Sequence, residues 1–289
     1  MSAIIFGASG QDGIYLSQLL SDINIEVIQV SRSKSFNNTE VTDFSQVSTL
    51  IKEIQPDYIF HFAANSTTRH DAMFENHASI STGTLNILEA VRLYSPLSKV
   101  FISGSGLQFQ NNDRPINELV PFEARDPYSV SRIQSVFAAR YFRRLGVKVY
   151  VGYFFNHDSP LRTDRHMSKK IVEAAKRIAK GSQEKLEIGD LNVIKEWTFA
   201  GDVVKAVWTL INQETIFEVV IGSGNGYSIK DWVSLCFSHF NLNWENHVVL
   251  KDQFTSEYKQ LISDPSLLMS MGWKPEVSFE ELFNMMINS

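Results

Sequence analysis

One cysteine, Cys236, in 289 residues leaves no partner for an internal disulfide and excludes a metal site built from several thiolates. A reducing, cytoplasmic location fits that scarcity. No run approaches 18 consecutive apolar residues, and the apolar start at residues 3–6 passes straight into glycines without a basic flank, so neither a membrane span nor a signal peptide is expected. The chain reads as soluble and unprocessed. Positive charge is also short, because 27 Lys and Arg face 32 Asp and Glu, a formal charge of −5. Nothing in that balance attracts a nucleic-acid backbone or an anionic membrane, and any anionic ligand must be held by local groups. The histidines (61, 70, 77, 157, 166, 239 and 247) show neither HxH nor HxxxH spacing, so no metal is expected.

What is present is globular: 44% hydrophobic and 20% charged residues, ordinary values that exclude disorder and fibrous repeats. Short apolar runs at residues 3–6, 26–30, 58–62, 100–103 and 147–153 alternate with segments at 13–20, 47–54, 82–91 and 131–145 whose apolar residues fall three or four apart. Strand alternating with helix predicts parallel pairing through right-handed crossovers, hence an α/β fold with a doubly wound parallel sheet of the Rossmann type. From about Asn156 the regularity fades. The expected organisation is a cofactor-binding domain at residues 1–155, with strand and helix returns around 195–222. Residues 156–289 then form a smaller, mixed α/β, mainly substrate-binding part at the carboxyl edge of the sheet, where open α/β folds bind ligands.

Directly after the first strand stands Gly7-Ala8-Ser9-Gly10-Gln11-Asp12-Gly13, opening a helix with glycines spaced GxxGxxG. Gly7 permits a tight turn, Gly10 lets the backbone approach a pyrophosphate, and Gly13 allows close helix-to-strand packing. Unpaired amides at the helix start then face the phosphates. The second strand ends in Ser31-Arg32-Ser33-Lys34, where a site for NAD usually offers a carboxylate to the ribose. Hydroxyls and cations suit a 2′-phosphate instead, so the expected cofactor is NADP(H). Asp43 has two open readings, acceptor from an adenine amino group or cap of the helix beginning near Ser45. The expected cofactor contacts are Gly7, Ser9, Gly10, Gln11, Asp12, Gly13, Ser31, Arg32, Ser33, Asp43, Ala63 and Ala64.

Further on, Val100-Phe101-Ile102-Ser103-Gly104-Ser105 ends a strand and Tyr128-Ser129-Val130-Ser131-Arg132 opens a helix. Positions i and i+4 share a helix face, so Tyr128 and Arg132 can converge with Ser105 beside a nicotinamide. The residues alone leave open whether Tyr128 is catalytic or merely packed. Together with Gly10-Gln11-Asp12-Gly13-Ile14-Tyr15-Leu16, Ile54-Gln55-Pro56-Asp57, Phe155-Asn156-His157-Asp158-Ser159-Pro160, Gly189-Asp190-Leu191-Asn192 and Gly272-Trp273-Lys274-Pro275, they give a chain that resembles the extended short-chain dehydrogenase/reductase family. Within it, the chain is most similar to the nucleotide-sugar enzymes related to GDP-mannose 4,6-dehydratase and GDP-4-keto-6-deoxymannose reductase, over nearly its whole length.

The resemblance implies NADP(H) and hydride transfer at C4 of a nucleotide-linked hexose. It makes Tyr128 the proton-exchanging tyrosine and Ser105 the hydroxyl that steadies the same oxygen. Arg132 stands where the family has a lysine that holds the ribose. A tyrosine with an ordinary pKa near 10 works at neutral pH with a positive charge beside it, and arginine keeps that charge in a bulkier, planar form. The resemblance also implies substrate contacts at Asn156, Arg162, Lys195 and Glu257, and Lys170, on a basic helix face, is a further candidate for the substrate's diphosphate. Phe254 stands where the family carries an arginine ahead of the acidic residue, and Lys195 replaces the arginine of an Arg-Asp-Trp pattern.

One departure bears on the reaction. The dehydratases place an acid two residues after the catalytic hydroxyl, to remove the C5 proton and assist loss of the C6 hydroxyl. This chain has Gly106 and Leu107 there. Reduction of a 4-keto sugar needs no such acid. The leading expectation is an NADP-dependent 4-reductase of a GDP-4-keto-6-deoxyhexose, with a GDP-mannose 4,6-dehydratase-like lyase and a catalytically silent binder of NADP or nucleotide sugar as alternatives. The expected partners are a nucleotide-diphosphate sugar, GDP-hexose favoured, and a second copy of the chain. The family pairs the helix after the tyrosine with its neighbour into a homodimer or homotetramer, and Val136, Ala139, Phe142 and Arg143 are placed on or near that face. Cys236 is expected in the core, and Lys169, Lys170, Lys176, Arg177 and Lys180 form either a diphosphate-steering or a solvated helix face.

Overall fold

The computed structural model describes residues 1–32, 37–252 and 254–289. Strands form on each of the five apolar runs: β1 (Ser2–Phe6), β2 (Glu26–Val30), β3 (Tyr58–His61), β4 (Lys99–Ser105) and β5 (Lys148–Phe154). The helices between them are α1 (Gln11–Asp22), α2 (Phe44–Ile54), the short α3 (Met73–Asn76), α4 (Gly83–Tyr94), reached through a π-helical turn at His77–Thr82, and α5 (Pro127–Arg144). The chain then runs through β6 (His157–Asp158), α6 (Met167–Ala179), β7 (Leu186–Ile188), β8 (Ile194–Glu196) and β9 (Thr198–Phe199). It returns with α7 (Ala200–Ile211) and β10 (Glu218–Ile221), and ends in β11 (Gly226–Ser228), α8 (Ile229–Ser238), β12 (Val248–Leu250), β13 (Gln260–Leu261), α9 (Ser266–Ser270) and α10 (Phe279–Ile287).

Six strands pair in parallel in the order β10-β5-β4-β3-β1-β2. Strand alternation sends Ile4 and Phe6 of β1 to one core with α2, α4 and α5, and Ala3 and Ile5 to another with α1 and α7. Burial on both faces makes the inner strands β1, β3 and β4 near-continuous apolar runs, whereas the edge strand β2 carries Glu26 and Gln29 and buries only Val30. The chain order reverses at β1, which lies between β2 and β3, so a crevice opens at the carboxyl ends of β1 and β3, where such folds bind ligands. Beyond β2 no full strand forms among the described residues; a single parallel bridge, Val30 to Asn37, stands in its place. A third core, built on α6, α8 and α10 around the stacked Trp197 and Trp232, fills the later part of the chain and buries Cys236. No described helix is long and apolar enough to cross a membrane.

The helix after the tyrosine corrects one expectation. Val136, Ala139 and Phe142 turn inward onto the sheet, and Arg143 is paired with Glu218 of β10. The outward stripe of α5 is instead Val130, Phe137 and Tyr141, with Phe137 and Tyr141 both 58% exposed.

Candidate active site

The glycines of the first turn are required for three different reasons. Gly7 has φ +87°, and a Cβ there would lie 2.6 Å from the backbone nitrogen of Ala63. A Cβ on Gly13 would lie 2.6 Å from the Cα of Ala8. Gly10 has an ordinary φ of −77°, and the nearest atom to an added Cβ is the Gly7 oxygen at 3.4 Å. Neither its backbone nor its neighbours demand glycine, so the missing side chain serves the cleft and lets a ligand lie against the loop. No side chain caps α1, whose first amides are left for an anion at that spot. This cradle fits the pyrophosphate of a dinucleotide.

Two cavities meet at this loop, sharing Gly10, Phe62 and Ala64. One, of about 420 Å³, is lined by Gly7, Ser9, Ser31, Arg32, Ala63 and Glu75 among others. The Ser9 and Ser31 hydroxyls are 2.7 Å apart, and Arg32, 78% exposed in its side chain, lies 3.9 Å from Glu75. Ser33 and Lys34 lie outside the described residues. Asp43 is not in this lining: it accepts from the backbone amides of Ser45 and Gln46 and caps α2, and its carboxyl is held low mainly by the Gln46 amide and side chain.

The second cavity, of about 330 Å³, holds Ser105, Leu107, Tyr128, Arg132, Asn156 and Arg162. Asp126 caps α5 by accepting from the amides of Tyr128 and Ser129, with Pro127 at the first helical position, and this puts Tyr128 in the opening turn. Strand β4 ends at Ser105, whose hydroxyl accepts from the Leu107 amide in a tight turn over Gly106–Gln108. One turn below Tyr128, the guanidinium carbon of Arg132 lies 5.0 Å from the Tyr128 ring centroid, a cation over an aromatic face. Arg132 is only 5% exposed, and its Nη1 donates to the Ser103 carbonyl at 2.5 Å and to the Ser103 hydroxyl at 2.8 Å.

Across the cleft, the segment after β5 is stitched to the glycine loop. His157 Nε2 lies 2.9 Å from Asp12 Oδ1 while its Nδ1 lies 2.8 Å from the Phe155 carbonyl. Both ring nitrogens thus lie within hydrogen-bond reach of oxygens, one on each side of the ring. Burial alone would raise the Asp12 carboxyl, but the His157 charge and hydrogen bond, with Arg162 beyond, outweigh it and hold the group below the usual carboxylate value. The Ser159 hydroxyl donates to Gln11 at 2.8 Å, and Arg162 donates to the His157 carbonyl at 2.9 Å.

Asn156 and Arg162 therefore stand in the cleft as expected, and the Asn156 side-chain oxygen is buried without a partner among the described residues. Lys170 and Lys195 do not line it. Lys170 reaches the Glu187 carbonyl at 3.5 Å, and the Lys195 ammonium lies 4.7 Å from the Trp197 ring centroid. Glu257 borders only a small annex behind Leu107, and Phe254 lies against Gly189. Sequence reasoning missed Tyr258 and His166, which line the cleft, and the structural use of His157. Burial pushes the Tyr258 hydroxyl up to about 12 and, with Arg162, holds His166 below the ordinary imidazole value. Among the described residues lining this cavity the sole carboxylate is Asp12, already engaged with His157. No described cluster of acidic, histidine or cysteine side chains is suited to a metal.

A doubly wound sheet, a glycine cradle at its switch point, and a serine, tyrosine and cation facing one cleft define an extended short-chain dehydrogenase/reductase. The sequence model of the GDP-mannose 4,6-dehydratase family matches residues 4–286. GDP-mannose 4,6 dehydratase 2 of Arabidopsis thaliana is 31% identical over 99% of this chain and 86% of its own length. Among solved structures, UDP-glucose 4-epimerase of Thermotoga maritima, in complex with UDP-glucose, superposes with a TM-score of 0.89 at 20% identity, over 100% of this chain and 98% of that one. RMD of Pseudomonas aeruginosa, complexed with NADPH, superposes at 0.86 with 21% identity, covering 99% and 96% of the two chains. The chain belongs to the GDP-mannose 4,6-dehydratase family, and its activity class is that of a nucleotide-sugar oxidoreductase or dehydratase.

Proposed function

We propose that the chain is an NADP(H)-dependent 4-reductase of a nucleotide-linked 4-keto-6-deoxyhexose, with GDP as the favoured nucleotide. The observation that carries the reductive reading is Leu107: it lines the cleft beside Ser105 where a dehydratase needs an acid, and no free carboxylate replaces it among the described lining residues. NADP(H), when bound, supplies the hydride. Gly7, Gly10 and the start of α1 hold its pyrophosphate, Ser9, Ser31 and Arg32 its 2′-phosphate end, and Arg132 its ribose.

Tyr128 gives its phenolic proton to the C4 oxygen and regains one from solvent, while the Ser105 hydroxyl steadies that oxygen. The carbonyl thus gains one hydrogen on carbon and one on oxygen, and no other bond changes. Asn156 and Arg162 face the substrate's diphosphate from the opposite wall. Two copies pair through the outward stripe of α5 into a homodimer, the building block of a homotetramer, and the location is cytoplasmic.

The test is NADPH oxidation with a GDP-4-keto-6-deoxyhexose, run beside GDP-mannose alone. Consumption with the ketone and no 4-keto product from GDP-mannose supports the reading. A second reading, dehydration of GDP-mannose, is favoured by the names of the relatives, and ordinary turnover of GDP-mannose would establish it instead. Tight NADP binding without turnover of either sugar would leave the silent binder.

A further inference from the structure

We propose that Ser103 is a positioning residue, the anchor that makes an arginine serviceable beneath the tyrosine. The proposal rests on the reading that Arg132 holds the cofactor ribose. Residues i and i+2 of a strand share a face and lie roughly 6.6 Å apart, and residues i and i+4 of a helix lie about 6 Å apart along the axis. Helix α5 crosses back over β4, so Ser105 and Tyr128 form an upper level of the cleft and Ser103 and Arg132 a lower one.

The lower level is fixed by more than proximity. The Ser103 hydroxyl donates to the His61 carbonyl at 3.0 Å, so its hydrogen is committed to β3 and it meets Arg132 only as an acceptor. Arg132 Nη1 is then held by two oxygens of one residue, the carbonyl and the hydroxyl. Its Nε is buried without a partner. A guanidinium is a rigid plane, so two bonds at Nη1 and the Tyr128 ring against its carbon fix the direction of the remaining nitrogens. Among the described residues only Nη1 is bonded to the protein, so Nη2 and Nε are left to meet a ligand. A lysine ammonium has no plane to orient: its three rotatable donors can aim one at a ligand whether or not another meets the Ser103 hydroxyl. Ser103 lines the cleft but is only 2% exposed, and its hydroxyl is already engaged with the His61 carbonyl and Arg132; a direct contact with the ligand would show as an effect of Ser103→Ala that persists in the Arg132→Lys background.

The experiment is a double-mutant cycle on the full-length protein, read as the dissociation constant of NADPH by calorimetry, which needs no sugar substrate. Ser103→Ala should weaken NADPH roughly tenfold, the scale of one hydrogen bond to a charged group. In the Arg132→Lys background the same change should matter less than twofold. Ser103→Cys, which keeps the volume but accepts poorly, should reproduce the alanine result and serves in its place where the alanine variant does not fold. Equal effects of Ser103→Ala in both backgrounds, or none in either, would overturn the proposal. Wild-type binding retained in Arg132→Ala would overturn it together with the role given to Arg132, and failure of the wild type to bind NADPH would remove the functional reading beneath both.

Discussion

His157 Nε2 and Asp12 Oδ1 are 2.9 Å apart although 145 residues separate them in the chain, and this bond ties the glycine loop to the segment that follows β5. Both side chains are largely buried, so removing one partner leaves the other poorly satisfied. Asp12→Asn or His157→Asn should each cost about 1–3 kcal/mol in urea unfolding, and the double variant should cost less than their sum. The folded-state pKa of Asp12 is depressed, so its stabilisation is complete above the unfolded value of 3.8 and is lost as pH falls through the lower folded value. The acid limb of wild-type stability below about pH 4 should therefore be shallower in Asp12→Asn.

His61 titrates against the fold. Burial, with the Arg132 charge next, pushes its imidazole down to about 3 against an ordinary 6.5. The unfolded chain takes up this proton first, so the native state loses stability as pH falls below 6.5 and goes on losing it toward the folded value. At pH 5 the loss relative to pH 8 should be about 2 kcal/mol from this group. In His61→Asn the stability difference between those two pH values should shrink by that amount, as read from unfolding midpoints at matched salt.

Arg32 stands at the mouth of the cofactor cavity with Ser31 beside it. A charged contact to a 2′-phosphate is worth about 1.5–3 kcal/mol. Arg32→Asp should accordingly weaken NADP binding roughly tenfold or more and leave NAD binding less affected. Calorimetry in which the wild-type protein prefers NAD would reverse the assignment.

Phe137 and Tyr141 expose two large rings one turn apart on α5. Joined with Val130, they form an apolar stripe suited to a two-fold interface. Light scattering at micromolar concentration should give a dimer or a tetramer, and Phe137→Glu with Tyr141→Glu should yield monomers that still bind NADPH. A wild-type monomer would contradict the interface.

How much of this was legible in the sequence follows from range. The inner strands showed because burial on both faces leaves them almost continuously apolar, the edge strand β2 by its alternation, and the glycine turn because its reasons are local. Helix α5 carries two apolar stripes, Val136-Ala139-Phe142 and Val130-Phe137-Tyr141, and periodicity alone does not say which meets the sheet; packing on β4 and β5 does. The Asp12 to His157 bond and the Ser103 anchor join distant segments that no spacing rule connects. Lys170 and Lys195 carry the right charge for a diphosphate, but whether they face the cleft depends on packing that spacing does not show: Lys170 reaches the Glu187 carbonyl, and Lys195 lies over Trp197 with Arg162 nearby.

The central claim, reduction at C4 by hydride with Tyr128 as proton donor, is tested most directly by isotope transfer. NADPH deuterated at C4 of the nicotinamide, on the transferred face, is incubated with a GDP-4-keto-6-deoxyhexose and the product is read by mass spectrometry and proton NMR. The account predicts one deuterium, bound to C4 of the sugar, formed with one equivalent of NADPH consumed, and at least a hundredfold slower formation in Tyr128→Phe. A product without deuterium at C4, or a 4-keto-6-deoxy sugar formed from GDP-mannose with no net consumption of NADPH, would contradict it.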